Sequence, residues 1–95
     1  MGAVDQLEVF SDQEWRQVIE ELELPPRQAQ IVRQVMRGRS DRQIAYELGI
    51  AVPTVRTHVT RLFRRFDLCD RIELVLHVVA CVRHRDRTAE PPRLC

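Results

Sequence analysis

The chain has no lysine, and all fifteen of its basic residues are arginine. Arginine suits bidentate contact with phosphate or guanine, but a lysine-free composition follows equally from genome composition, so this feature decides little by itself. Also missing is any apolar run of membrane-spanning length. Asp5 and Glu8 stand where a secretory leader would be basic and then apolar, so a cytoplasmic location without membrane contact is expected. The cysteines Cys69, Cys81 and Cys95 are odd in number and lack CxxC spacing, which indicates neither a disulfide framework nor a zinc finger. There is no phosphate loop, no nucleophile elbow and no pair of carboxylates in an apolar setting. A chain this short has little room for a pocket, so no catalytic residue and no cofactor is expected. No strand alternation, internal repeat or low-complexity tract interrupts the pattern.

What remains is one small domain with one modest core. Its net charge of +1 conceals a strong asymmetry. Residues 1–23 carry seven acids against Arg16, whereas residues 24–66 carry nine arginines against Asp41 and Glu47. A basic middle of this kind is the footprint of an anionic partner.

Helical signals run the length of the chain. Residues 1–10 read as a tail. Ser11-Asp12-Gln13-Glu14 is a capping box, with Phe10 and Trp15 placed as a hydrophobic staple. Trp15, Val18, Ile19 and Leu22 then give residues 11–23 one apolar and one acidic face, and Pro25-Pro26 ends that helix. Pro26 can open the next helix, whose inward face is Ile31, Val32, Val35 and Met36, with Gly38 as a left-handed stop. Ser40 and Gln43 form a second capping box before Ile44, Ala45 and Leu48, and Gly49 supplies a turn. The following helix, about 53–66, carries an apolar stripe of Val55, Val59, Leu62, Phe63 and Phe66. Arg56, Thr57, Thr60, Arg61, Arg64 and Arg65 lie off that stripe. Asp70 can cap a last helix reaching about Arg83, and residues 84–95 are expected to be a disordered tail.

Two short helices joined by a glycine turn, with arginine and threonine on the free face of the second, form a probe suited to the DNA major groove. Arg56, Thr57, Thr60 and Arg61 are the candidates for base contact. Ser40, Arg42, Thr54, Arg64 and Arg65, at the helix ends, are the candidates for phosphate contact. For each, the alternative is a solvated helix face or, for Ser40 and Thr54, a residue that only starts a helix. His58 is as much a packing residue at the core boundary as a phosphate ligand. Tyr46 is equally an exposed ring or a phosphate donor. Glu73, His77, Cys81 and His84 share one side of the last helix, but a single helix cannot wrap a tetrahedral ion, so no metal site is expected.

Over roughly Leu24 to Val82 the sequence resembles the DNA-binding domain of the LuxR family of bacterial transcription regulators. The resemblance is carried by Leu24, Pro26, Arg27, Ile31, Val32 and Gly38, then Ser40, Ile44-Ala45 and Leu48-Gly49-Ile50. Thr54-Val55-Arg56-Thr57-His58, Arg64-Arg65 and Arg71-Ile72-Glu73-Leu74 complete it. It implies an all-α bundle: a four-helix helix-turn-helix domain over 24–83, here with one extra N-terminal amphipathic helix. It further implies a bacterial regulator that binds double-stranded DNA through the helix near Pro53 and dimerises through the last helix. The pattern departs at Pro25 and Ala51, which replace a threonine and a serine cap; Pro53 could also displace Val52 from the helix.

In the last helix, Ile72, Val75, Leu76 and Val79 are expected to face the core. Leu74, Val78 and Cys81 are left as an exposed stripe for a homodimer. The acidic first helix is a candidate docking surface for a protein partner. Two other readings compete: a protein-binding adaptor on a helix-turn-helix scaffold, and a module like sigma-factor region 4. The cationic free face opposes the first, and Arg71-Ile72-Glu73-Leu74 opposes the second.

Overall fold

A computed structural model describes residues 9–83. Five helices follow one another: α1 (Asp12–Glu21), α2 (Pro26–Met36), α3 (Asp41–Leu48), α4 (Val52–Phe66) and α5 (Arg71–Arg83). No strand occurs among the described residues. The expected disorder of residues 84–95, and His84 with it, lies outside them.

The helix starts follow from local hydrogen bonding. Glu14 N donates to Ser11 Oγ at 3.1 Å and Ser11 N to Glu14 Oε1 at 2.9 Å, closing the first capping box. Phe10, at the end of the stretch read as a tail, is buried and meets Trp15 edge-on at 5.3 Å, as the expected hydrophobic staple requires. The second box joins Gln43 N to Ser40 Oγ at 3.2 Å and Ser40 N to Gln43 Oε1 at 2.8 Å. At α5, Asp70 Oδ1 accepts from Glu73 N at 2.9 Å, and Glu73 Oε1 accepts from Cys69 N at 2.8 Å. Neither α2 nor α4 has a side-chain cap, as Pro25 and Ala51 foretell. Val52 nevertheless begins α4, with Ala51 extended before it. Pro53 is harmless as the second residue because first-turn N–H groups have no intrahelical partner to lose.

The core gathers Phe10, Trp15 and Val18 of the N-terminal segment with Ile31, Val32, Val35 and Met36 of α2. Ile44 and Ala45 of α3, and Val55, Val59 and Leu62 of α4, complete the side facing α3 and α4. The extra N-terminal helix is therefore part of the bundle, although Ile19 is exposed rather than inward.

The expected orientation of α5 holds only in part: Val75 and Val79 pack half-buried against the core as expected, but the remaining positions of the two stripes change places. Leu74, Val78 and Cys81 are buried, while Ile72 is 69 % and Leu76 47 % exposed. Nearly every position from Ile72 to Val82 is apolar, so periodicity could not choose a face. Packing against α1 and α2 chose it. Cys81 is a free thiol at 3.3 Å from Glu21 Oε1. His77 meets Phe66 with the rings tilted at 36° and centroids 4.9 Å apart, and its burial holds the imidazole pKa below the ordinary value. Cys69 is disulfide-bonded, which the cysteine spacing gave no reason to expect.

Candidate nucleic-acid interface

The angle between α3 and α4 is set at Gly49, whose φ of 68° and ψ of 35° lie in the left-handed region that glycine enters without a Cβ clash. Ile50 N then donates to Ala45 O at 3.0 Å, which closes the end of α3. Val55, Val59 and Leu62 anchor α4 in the core, so its opposite face is presented outward. Arg56, Thr57, Thr60, Arg61 and Arg64 are all exposed there, as are Pro53 and Thr54 at the start of the helix.

These residues are not equivalent. Arg61 and Arg64, together with Arg42 of α3, make no hydrogen bond or ion pair with the other described residues and are unencumbered cations. Thr57 Oγ1 donates to Pro53 O at 3.0 Å, so its hydroxyl faces a ligand as an acceptor with a methyl group beside it. Ser40 spends an oxygen lone pair on its capping box and keeps its proton for an outside acceptor. His58 is half-buried with Nδ1 unpartnered among the described residues, and Tyr46 is 89 % exposed.

Arg65 departs from expectation. Its guanidinium donates to Glu23 O at 2.9 Å and to Leu22 O, and lies over the Phe66 ring at 4.8 Å. It closes the C-terminal end of α1, where Glu23 adopts a φ of 49° that no glycine is present to ease. With both terminal amino groups so engaged, Arg65 is a link between α1 and α4 rather than a spare phosphate donor.

Spacing along the chain did not anticipate a three-helix clasp at Asp41. Arg71 Nη1 donates to Asp41 Oδ1 at 2.9 Å, Arg71 Nη2 to Arg39 O at 2.8 Å, and Arg56 Nε to Asp41 Oδ2 at 3.3 Å. Burial pushes the Asp41 carboxyl up, but the hydrogen bonds and charges of Arg71 and Arg56 outweigh it and leave its pKa below the ordinary value. A signal was present all the same. Asp41 and Glu47 are the two acids in the basic middle, and each is paired with arginine, Glu47 with Arg39 at 3.7 Å.

A capped short helix, a left-handed glycine turn and a second helix with a polar, cationic outer face define a helix-turn-helix protein. The chain belongs to the luxR family of bacterial regulatory proteins, whose family model matches residues 22–78. Among curated relatives it is similar to the two-component response regulator PprB of Pseudomonas aeruginosa, 42 % identical over 53 residues. That match covers 56 % of this chain and 19 % of the relative. A glycerol metabolism activator of Pseudomonas putida is 34 % identical over 53 residues, covering 56 % of this chain and 24 % of the relative. The transcriptional regulatory protein LiaR of Bacillus subtilis is 30 % identical over 54 residues, covering 57 % and 26 %. The match thus spans about a quarter or less of the first two relatives. No solved structure matches significantly. Among the described residues, no helix is long and apolar enough to cross a membrane.

Proposed function

We propose that this chain is a sequence-specific DNA-binding transcription regulator that lays α4 in the major groove. The observation that carries the reading is the outer face of α4, where Arg56, Thr57, Thr60, Arg61 and Arg64 stand exposed on a helix fixed by its buried side. Arg56, Thr57, Thr60 and Arg61 are assigned to base edges. Ser40, Arg42, Thr54 and Arg64 are assigned to the flanking phosphates. Arg65 leaves that set because it is committed to α1. No residue is given a catalytic role.

The protein acts as a homodimer in this reading, but through a different stripe from the one first expected. Ile72 and Leu76, one turn apart on α5 and both exposed, are flanked by half-buried Val75 and Val79. Pairing this uncharged stripe with its copy about a two-fold axis would remove it from water and set two α4 helices about one DNA turn apart. A second reading, docking of a protein partner on the acidic surface of α1, is favoured by the exposure of Ile19 and Glu20 and of Glu23 just beyond the helix. Selection of bound duplexes from a random pool tests the main reading. Enrichment of a two-fold-related site is expected; no enrichment over the input pool would overturn sequence-specific binding.

A further inference from the structure

We infer that Asp41 is a positioning residue for base recognition, holding Arg56 by its Nε so that the Nη edge of the guanidinium is aimed at a guanine. This rests on the assignment of Arg56 to a base edge. The clasp divides the carboxylate, with Oδ1 going to Arg71 at 2.9 Å and Oδ2 to Arg56 Nε at 3.3 Å. Arg71 is itself fixed by its second bond to Arg39 O, so the carboxylate is braced from behind by the start of α5. Arg56 Nε is the atom engaged, and its two terminal amino groups make no other bond among the described residues. A guanidinium bound through Nε retains two parallel N–H groups on its other edge, which is the geometry of a bidentate contact with guanine O6 and N7.

Exposure separates the partners in the required way. The Arg56 side chain is 69 % exposed and reachable by DNA, whereas that of Asp41 is 24 % exposed and sits behind it. A free arginine side chain explores many rotamers and must lose that freedom on binding, so one already held binds its base with less loss. The carboxylate also brings a negative charge near the phosphates, which disfavours contacts that lack the compensating base. Asp41 thus trades general affinity for selectivity.

The full-length chain is tested against three duplexes: the selected site, the same site with one guanine pair exchanged, and a random sequence. Asp41→Asn keeps an acceptor oxygen for Arg71 but removes the charge. Discrimination against the exchanged pair is expected to fall about three- to tenfold, while affinity for random DNA rises about two- to fivefold. A bracing role alone would instead weaken binding to all three duplexes together, and that result overturns the inference. In an Arg56→Ala background, Asp41→Asn should produce no further loss of discrimination; an additional loss of the same size would also overturn it. Arg56→Lys leaves Asp41 and the fold untouched but replaces a planar fork, whose one edge meets the carboxylate while the other faces guanine, with a single ammonium. That ammonium is pulled to Asp41 and away from the base, so the lysine variant should discriminate no better than Arg56→Ala. Lysine with full discrimination would count against the clasp. If Arg56→Ala leaves discrimination unchanged, the base-reading role itself fails. If Arg56→Ala lowers it and Asp41→Asn does not, only the positioning role fails.

Discussion

The orientation of α5 can be tested by comparing Leu74→Ala with Leu76→Ala, the same chemical truncation two residues apart. Leu74 is 1 % exposed and lies in the core, so its loss removes apolar contact and leaves a cavity. Such truncations cost about 2 to 5 kcal/mol. Leu76 is 47 % exposed, and much of its side chain is already in water. Its truncation should cost about 1 kcal/mol or less, because little buried area is lost. For a domain of this size each kcal/mol moves the melting temperature by about 4 to 8 °C. Leu74→Ala is therefore expected to melt at least about 8 °C lower, and Leu76→Ala within about 8 °C of the parent. Circular dichroism melts of dilute protein make the comparison, since dilution limits any contribution from dimerisation. Equal shifts, or a larger one for Leu76→Ala, would refute the inward placement of Leu74, Val78 and Cys81.

Other consequences follow from individual contacts. Arg65→Ala should lower stability by about 0.5 to 1 kcal/mol by uncapping α1, with little change in DNA affinity; an unchanged melt with weakened binding would return Arg65 to the phosphate. Gly49→Ala meets no atom within 4 Å, so its cost should be the left-handed backbone alone, about 1 to 2 kcal/mol, read from urea unfolding. Ile72→Glu combined with Leu76→Glu should abolish cooperative binding to a two-half-site duplex in a gel shift while the circular dichroism spectrum stays unchanged. Retained cooperativity would place the dimer contact elsewhere. Acidification should act in two stages. His77 has a lowered folded pKa, so the unfolded chain binds its proton first and stability begins to fall below about 6.5. Asp41 also has a lowered folded pKa, so its contribution is present above the ordinary value of 3.8 and disappears as pH falls through the folded value. His77→Gln should remove the first stage and Asp41→Asn part of the second, as followed by melting temperature against pH.

Where local chemistry decides a feature, the sequence made it legible. Both serine capping boxes, Pro26 at a helix start, and the left-handed glycines at 38 and 49 are matched by the structure because each depends on a few adjacent residues. The outward face of α4 could be read because Val55, Val59 and Leu62 contrast sharply with their arginine and threonine neighbours. In α5 that contrast is missing, and both stripes are apolar. Only the position of α1 and α2 shows which one is inside. Arg65 and Asp41 were obscure for another reason: their partners lie 42 and 43, or 15 and 30, residues away. An arginine count gives the charge of a segment but not how much of it is already neutralised within the fold.

The central claim is that α4 and the start of α3 form a DNA-binding surface, and the most direct measurement is a fluorescence anisotropy titration of a labelled duplex at several salt concentrations. Arg42 and Arg64, with a share from the base-reading Arg56 and Arg61, should neutralise about two or three phosphates per protomer, giving a log–log slope of the association constant against salt of about −2 to −3. Arg42→Ala or Arg64→Ala should each reduce that slope by about one. A flat salt response, or no binding at low salt, would contradict the account.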